Sequence, residues 1–184
     1  MSEVKGTKIK SKFTFLRERF SDAMVERVLD AMAPRERSQL QTVLDLGWYD
    51  SGLFENLLGA IVRVAGGGDE AILNQVGRYG AEDLSQNAYR AYFRSGDPET
   101  VLAKMVPIHA KLNRPGEMEI LRHADQELSI VVLKPRSGPH SRLVARGFYQ
   151  RSVELCGVSN VGVEQVARSA HGDEVCEFRV TWGD

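Results

Sequence analysis

From Val161 to Trp182 the chain reads VGVEQVARSAHGDEVCEFRVTW, and the second half of this stretch alternates without a break. Cys176, Phe178, Val180 and Trp182 fall on one side, and Val175, Glu177, Arg179 and Thr181 on the other. A period of two is the mark of a strand with one dry and one wet face. His171-Gly172-Asp173-Glu174 separates this run from an earlier one, and Gly172-Asp173 supplies what a tight reversal needs. The expectation is a β-hairpin, and a hairpin with a dry face must be covered by something.

The preceding chain supplies the cover. Phe13, Leu16 and Phe20 recur at helical spacing and predict a helix from about Ile9 to Phe20, after a polar, frayed start over residues 1–7. Ser21 reads as an N-cap for a helix holding Met24, Val25, Val28, Leu29 and Met32. Pro34 opens the next one, whose Leu40, Val43 and Leu44 should face inward before Gly47. Trp48-Tyr49-Asp50-Ser51 reads as a loop whose Asp50 or Ser51 caps the most apolar helix, Leu53 to Val64. Gly66-Gly67-Gly68 stops that helix. It lacks the preceding strand and the Gly-Lys-Ser/Thr of a phosphate loop. Asp69 caps a helix running on to Phe93, with Gly77 and Gly80 inside it permitting a bend or a close crossing. Asp97-Pro98 starts another, interrupted by Pro107 and ending near Asn113.

At Asn113-Arg114-Pro115-Gly116 the pattern changes. Two short runs, Glu117 to His123 and Glu127 to Pro135, predict a second hairpin, followed by a helix from about His140 to Cys156 with Val144, Phe148 and Leu155 inward. The fold expected is therefore α+β in one domain spanning 1–184: a helical part, about 8–113, packed on a four-stranded antiparallel sheet, about 117–183. The C-terminal half runs strand, strand, helix, strand, strand.

Charge and cysteine content narrow the function. A formal net charge of -1 gives no global field for nucleic acid or an acidic membrane, and Lys5, Lys8, Lys10 and Lys12 read as a solvated helix start. No run approaches the roughly 20 apolar residues of a membrane span, and Cys156 and Cys176 make no disulfide framework. A cytoplasmic setting is the default expectation. His109, His123, His140 and His171 share no ligand spacing, so neither a metal nor another cofactor is expected, and nothing in their placement supports haem ligation. No nucleophile motif appears, so the chain is not expected to be an enzyme. The aromatics carry more. Trp48, Tyr49, Phe54, Tyr89, Tyr92, Phe93 and Phe148 either make an ordinary core or line an apolar cavity between the helices and the dry face of the sheet.

The C-terminal segment ARGFYQRSVELCGVSNVGVEQVARSAHGDEVCEFRVTW resembles the end of vinyl-reductase-type, hydrocarbon-binding domains, which share a fold with TRAPP vesicle-tethering subunits. Within that group the chain looks similar to a myxobacterial family, through KGTKIKSKFTFLRERF, the Trp48-Tyr49 loop and FRSGDPETVLAKMVPIHAKLN as well. Gly172-Asp173, Cys176 and Phe178 match that group's Gly-Asp-x-x-Cys-x-Phe element, while Arg168 stands where several members carry a zinc-holding cysteine. The resemblance implies a sensory module that binds a small apolar or aromatic molecule, without catalytic machinery, and a homodimer. The alternative is a protein-interaction scaffold whose core is filled and takes no ligand. An enclosed apolar void of about 300 Å³ or more separates the two.

Overall fold

The computed structural model describes residues 2–86, 90–93, 97–133, 138–166 and 175–183, apart from the side chain of Tyr92. Its elements are Glu3–Lys5 (β1), Gly6–Arg19 (α1), Asp22–Asp30 (α2), Pro34–Gln41 (α3), Trp48–Asp50 (β2), Ser51–Val64 (α4), Ala71–Gln86 (α5), Arg90–Phe93 (α6), Pro98–Leu112 (α7), Asn113–Arg114 (β3), Met118–Ala124 (β4), Glu127–Leu133 (β5), Pro139–Glu154 (α8), Ser159–Val166 (β6) and Val175–Gly183 (β7). The expected α+β class and the strand-strand-helix-strand-strand order of the C-terminal half are both present. The turn expected at residues 171–174, Arg168 and Tyr89 lie outside the described residues.

Local chemistry sets the helix starts. Ser21 Oγ accepts the Met24 N–H at 3.3 Å, Asp50 Oδ1 the Gly52 N–H at 2.8 Å, and Asp69 Oδ1 the Ala71 N–H at 2.8 Å. Asp97 takes the N–H groups of Glu99 and Thr100 at 3.0 and 3.3 Å. Each such cap satisfies a donor that has no partner inside its helix. Helix α8 has no side-chain cap from its own Gly138. Glu55 of α4 serves instead, accepting His140 N–H at 2.7 Å, Ser141 N–H at 3.1 Å and the Ser141 hydroxyl at 2.6 Å. A carboxylate at the positive end of a helix is favourable, so this contact fixes α8 to α4.

The four strands order as β4-β5-β7-β6, all antiparallel. The register lays out the dry face as rows. Met118, Val132 and Cys176 form one, Ile120, Ile130 and Phe178 the next, and Leu128, Val180 and Val163 the third. Helices α7 and α8 lie on this face and close one apolar cluster with Phe93. A second cluster is built from α1 to α5 and touches α8 through Val144. The two meet where α5 crosses α8. There Gly77 faces the Val144 carbonyl and Gly147 faces the Asn74 carbonyl, so close that a Cβ on either glycine would overlap backbone. Gly77 thus serves the close crossing that its position inside α5 permits.

Four local expectations need correction. Residues 3–5 are a strand rather than a frayed start, because Val4 is buried and pairs with both Tyr49 and Asn113. Trp48 and Tyr49 consequently lie on a strand, not in a loop. Helix α3 ends at Gln41, which leaves Leu40 and Val43 buried but turns Leu44 out to 69% exposure. The basic N-terminal run is not a solvated face. Lys10 pairs with Asp45 at 2.9 Å and Lys5 lies over the Trp48 ring at 4.1 Å, while Lys12 is buried.

Candidate functional site

A cavity of about 380 Å³ lies at the junction of the two clusters, between α1, α4, α5, α7 and α8 on the helical side and the dry face of β4, β5 and β7 on the other. Its apolar wall includes Phe54, Leu84, Met105, Ile108, Met118, Val132, Val144, Phe148 and Phe178. The glycines of α5 shape it. Gly77 brings α5 against α8, and a Cβ on Gly80 would meet only the Phe148 ring, at 3.7 Å.

The polar groups on the wall include three cations, Lys8, Lys12 and Arg142, beside Asp83 and neutral side chains such as Ser141 and Asn113. Helix α1 presents Lys8 and Lys12, four residues apart and so on one face. Lys8 Nζ donates to Asn113 Oδ1 at 2.8 Å and lies 5.0 Å from the Phe54 ring centroid. Lys12 Nζ donates to Ser11 Oγ at 3.0 Å. Burial pulls the Lys8 amine down to about 8, against the opposing pull of Glu55. It pulls Lys12 down to about 7, helped by the charge of Lys8 and opposed by Asp83. On α8, Arg142 also lines the cavity, and its Nε is buried without a hydrogen-bond partner among the described residues.

His109 on α7 contributes an imidazole, held down at about 4 by burial and then by the charge of Lys8. It is therefore neutral at physiological pH. Tyr149 sits deeper. Its hydroxyl donates to Met118 Sδ at 3.7 Å, and burial raises its pKa strongly. The two cysteines are not joined in a disulfide: Cys176 lies on the cavity wall and Cys156 just after α8, where burial raises it to about 11. No cluster of three metal-ligating side chains occurs among the described residues.

Of the aromatics singled out from sequence, the structure brings Phe54 and Phe148 to this cavity. Phe93 is buried in the sheet-side cluster but is not part of the cavity wall. Trp48 lies on β2, held between Lys5 and the Arg114 guanidinium at 3.8 Å, and the Tyr49 hydroxyl accepts the Leu44 N–H at 2.8 Å. Both are committed to the small three-stranded sheet, ordered β2-β1-β3, and the loop before it. Tyr89 and the Tyr92 side chain lie outside the described residues. Sequence reasoning missed Lys8, Lys12, His109 and Arg142. A signal for three of them exists in the spacing. Lys8, Lys12 and the buried Phe15 follow one helical stripe, and His109 lies between Met105 and Leu112 on the inward stripe of α7.

A second polar group of note lies on the opposite face of the sheet. Ser129 is fully buried there, with its hydroxyl 2.8 Å from His123 Nε2 and donating to Glu177 Oε1 at 2.6 Å. The hydroxyl stands between the imidazole and the carboxylate. In a nucleophilic triad the imidazole must stand in the middle.

No protein-family model and no curated protein sequence matches the chain. Solved structures do match over almost its whole length. A Cs H-NOX variant superposes with a TM-score of 0.73 at 16% identity, covering 98% of this chain and 97% of that one. A T. tengcongensis H-NOX variant gives 0.72 at 16% identity, with 98% of both chains covered. The Fe(II) unliganded H-NOX protein from K. algicida gives 0.71 at 12% identity, covering 98% and 97%. The chain therefore has an H-NOX-like fold, and the resemblance to vinyl-reductase-type and TRAPP domains does not hold. The reason lies in what carried it. A turn followed by one strand alternating apolar and polar residues is what any half-buried antiparallel hairpin writes, so that element does not distinguish one fold from another.

Proposed function

We propose that the chain is a ligand-binding sensory module that acts by binding rather than catalysis, with a small, largely apolar molecule seated in the cavity between the helices and the sheet. The cavity carries this reading. Its 380 Å³ falls within the range of ligand sites and favours a ligand over the filled-core scaffold, and most of its wall area is apolar. Its place supports a sensing role. Helices α1, α5, α7 and α8 all contribute to the wall, so a ligand touching them would couple the two apolar clusters across their seam. The resemblance that implied a homodimer does not hold, and the apolar side chains of α4 are buried within the chain, so a dimer would need another surface. The test is native mass spectrometry of protein purified from its own host. A co-purified small molecule is the expected result. Ligand-free protein that instead carries a stoichiometric protein partner would favour the scaffold.

A second reading comes from the H-NOX neighbours, among which are structures concerned with haem distortion and haem redox potential. The residues on this wall suit a haem. His109 offers a neutral imidazole of the kind haem iron takes, and Lys8, Lys12 and Arg142 suit carboxylates. A bound haem would supply an iron centre for a further small ligand. In this reading His109 holds the group and the cations orient it. Titration with hemin should then give a sharp Soret band that His109→Ala shifts or abolishes. A broad spectrum unchanged by that substitution would remove this reading and leave the first standing.

A further inference from the structure

Holding two lysines one helical turn apart against apolar walls, Lys12 buried and Lys8 half-buried, is costly. Each ammonium loses water, and the two repel one another. Such an arrangement persists where something offsets it, and inside the chain little does. Of the three N–H donors on each ammonium, Lys8 spends one on the neutral Asn113 Oδ1 and Lys12 spends one on the neutral Ser11 Oγ. Neither lysine forms an ion pair within 4 Å among the described residues. The carboxylate contributed to the wall, Asp83, belongs to an exposed residue on α5. A third cation on the wall, Arg142, keeps a buried Nε without a hydrogen-bond partner among the described residues. A cavity that is apolar over most of its wall and cationic at Lys8, Lys12 and Arg142 matches a molecule with an apolar body and one anionic end.

We propose that Lys8 and Lys12 read a carboxylate at one end of the cavity's ligand, so that the ligand class is an aliphatic or aromatic carboxylic acid rather than a neutral hydrocarbon. The inference rests on the reading of the cavity as a ligand site and makes it specific. A carboxylate accepts from both ammonium groups at once, forms charge-assisted hydrogen bonds with their spare donors, and removes the repulsion between them. The depressed amines, about 8 for Lys8 and about 7 for Lys12, are what burial without such a partner produces.

Octanoate and octan-1-ol share a chain and differ in the head group, which makes them suitable probes. Calorimetric titration of the full chain at low salt should show octanoate binding at least about 10-fold tighter than octanol, the factor a single charged hydrogen bond commonly contributes. In Lys8→Met/Lys12→Met, which keeps the apolar stems, the preference should fall to about 2-fold or less with octanol affinity retained. Lys12→Arg, which keeps the charge, should retain the preference. Equal binding of acid and alcohol to the wild type would overturn the head-group assignment while leaving the cavity as an apolar site. Binding of neither would overturn both. The wild-type comparison decides the matter even if the double variant fails to fold.

Discussion

The α5–α8 crossing makes two glycines three residues apart respond to the same substitution with opposite signs. Gly77→Ala and Gly80→Ala gain the same intrinsic helix stability, about 1 kcal/mol each. At Gly80 the added methyl meets the Phe148 ring at 3.7 Å, an ordinary contact, so the gain stands. At Gly77 the methyl falls deep inside the Val144 carbonyl and within 2.7 Å of the Phe148 amide nitrogen. Both are backbone atoms of α8 and cannot swing aside. The two helices must separate, which also strains the matching contact of Gly147 with Asn74. Overpacking of this kind costs about 1–3 kcal/mol and more where backbone must move, so the net effect at Gly77 is a loss of about 2 kcal/mol. For a chain of this size that is a drop in melting temperature of roughly 4–8 °C, against a rise of about 2–4 °C for Gly80→Ala. Urea and thermal melts followed by circular dichroism read both. A Gly77→Ala protein as stable as wild type would refute the account of the crossing.

Further outcomes follow from the charges. Glu55→Gln weakens the cap on α8, and the variant should lose about 1–2 kcal/mol in urea melts, with Glu55→Ala losing more because three donors are then left unmatched. Arg78 grips Glu154 with two hydrogen bonds at 2.9 and 2.6 Å, and Arg151 bridges Glu82 and Glu154. A double-mutant cycle on Arg78 and Glu154 should give a coupling of about 1 kcal/mol that shrinks at high salt. Stability should rise with pH in two windows. His109, down at about 4 when folded and at 6.5 otherwise, binds its proton more readily in the unfolded chain between those values. Lys12 does the same between about 7 and 10.5. Urea midpoints across pH 4–9 should climb through both windows, with Lys8, down at about 8, adding to the upper one and Lys12→Met making it shallower; a fall between pH 7 and 9 would contradict the burial of the Lys12 amine.

What was legible in the sequence was whatever short-range chemistry decides. The caps at Ser21, Asp50, Asp69 and Asp97 and the prolines at the starts of α3 and α7 are set by hydrogen bonds that span two or three residues. The alternation of Cys176, Phe178 and Val180 set the dry face just as directly. The small sheet was not legible, because Val4, Tyr49 and Asn113 are brought together from three distant stretches and none alternates for more than three residues. The site was half legible. Aromatic content pointed to a cavity wall and found Phe54 and Phe148, but Trp48 was claimed by two cations that only the fold brings beside it. Lys8 and Lys12 were misread because a basic residue near a chain start is usually solvated, and their burial depends on α5, α7 and α8 closing over them.

The central claim is that the cavity accepts a ligand, and filling it is the most direct test. Gly80→Leu places a side chain into the cavity from a position where a Cβ meets only the Phe148 ring. Melting temperatures of wild type and Gly80→Leu would be measured against one panel of apolar and carboxylate-bearing small molecules. The account predicts that at least one compound raises the wild-type value, by about 2–4 °C or more per kcal/mol of binding, and leaves the folded variant unmoved. Equal shifts in both proteins, or none in the wild type for any compound, would contradict it.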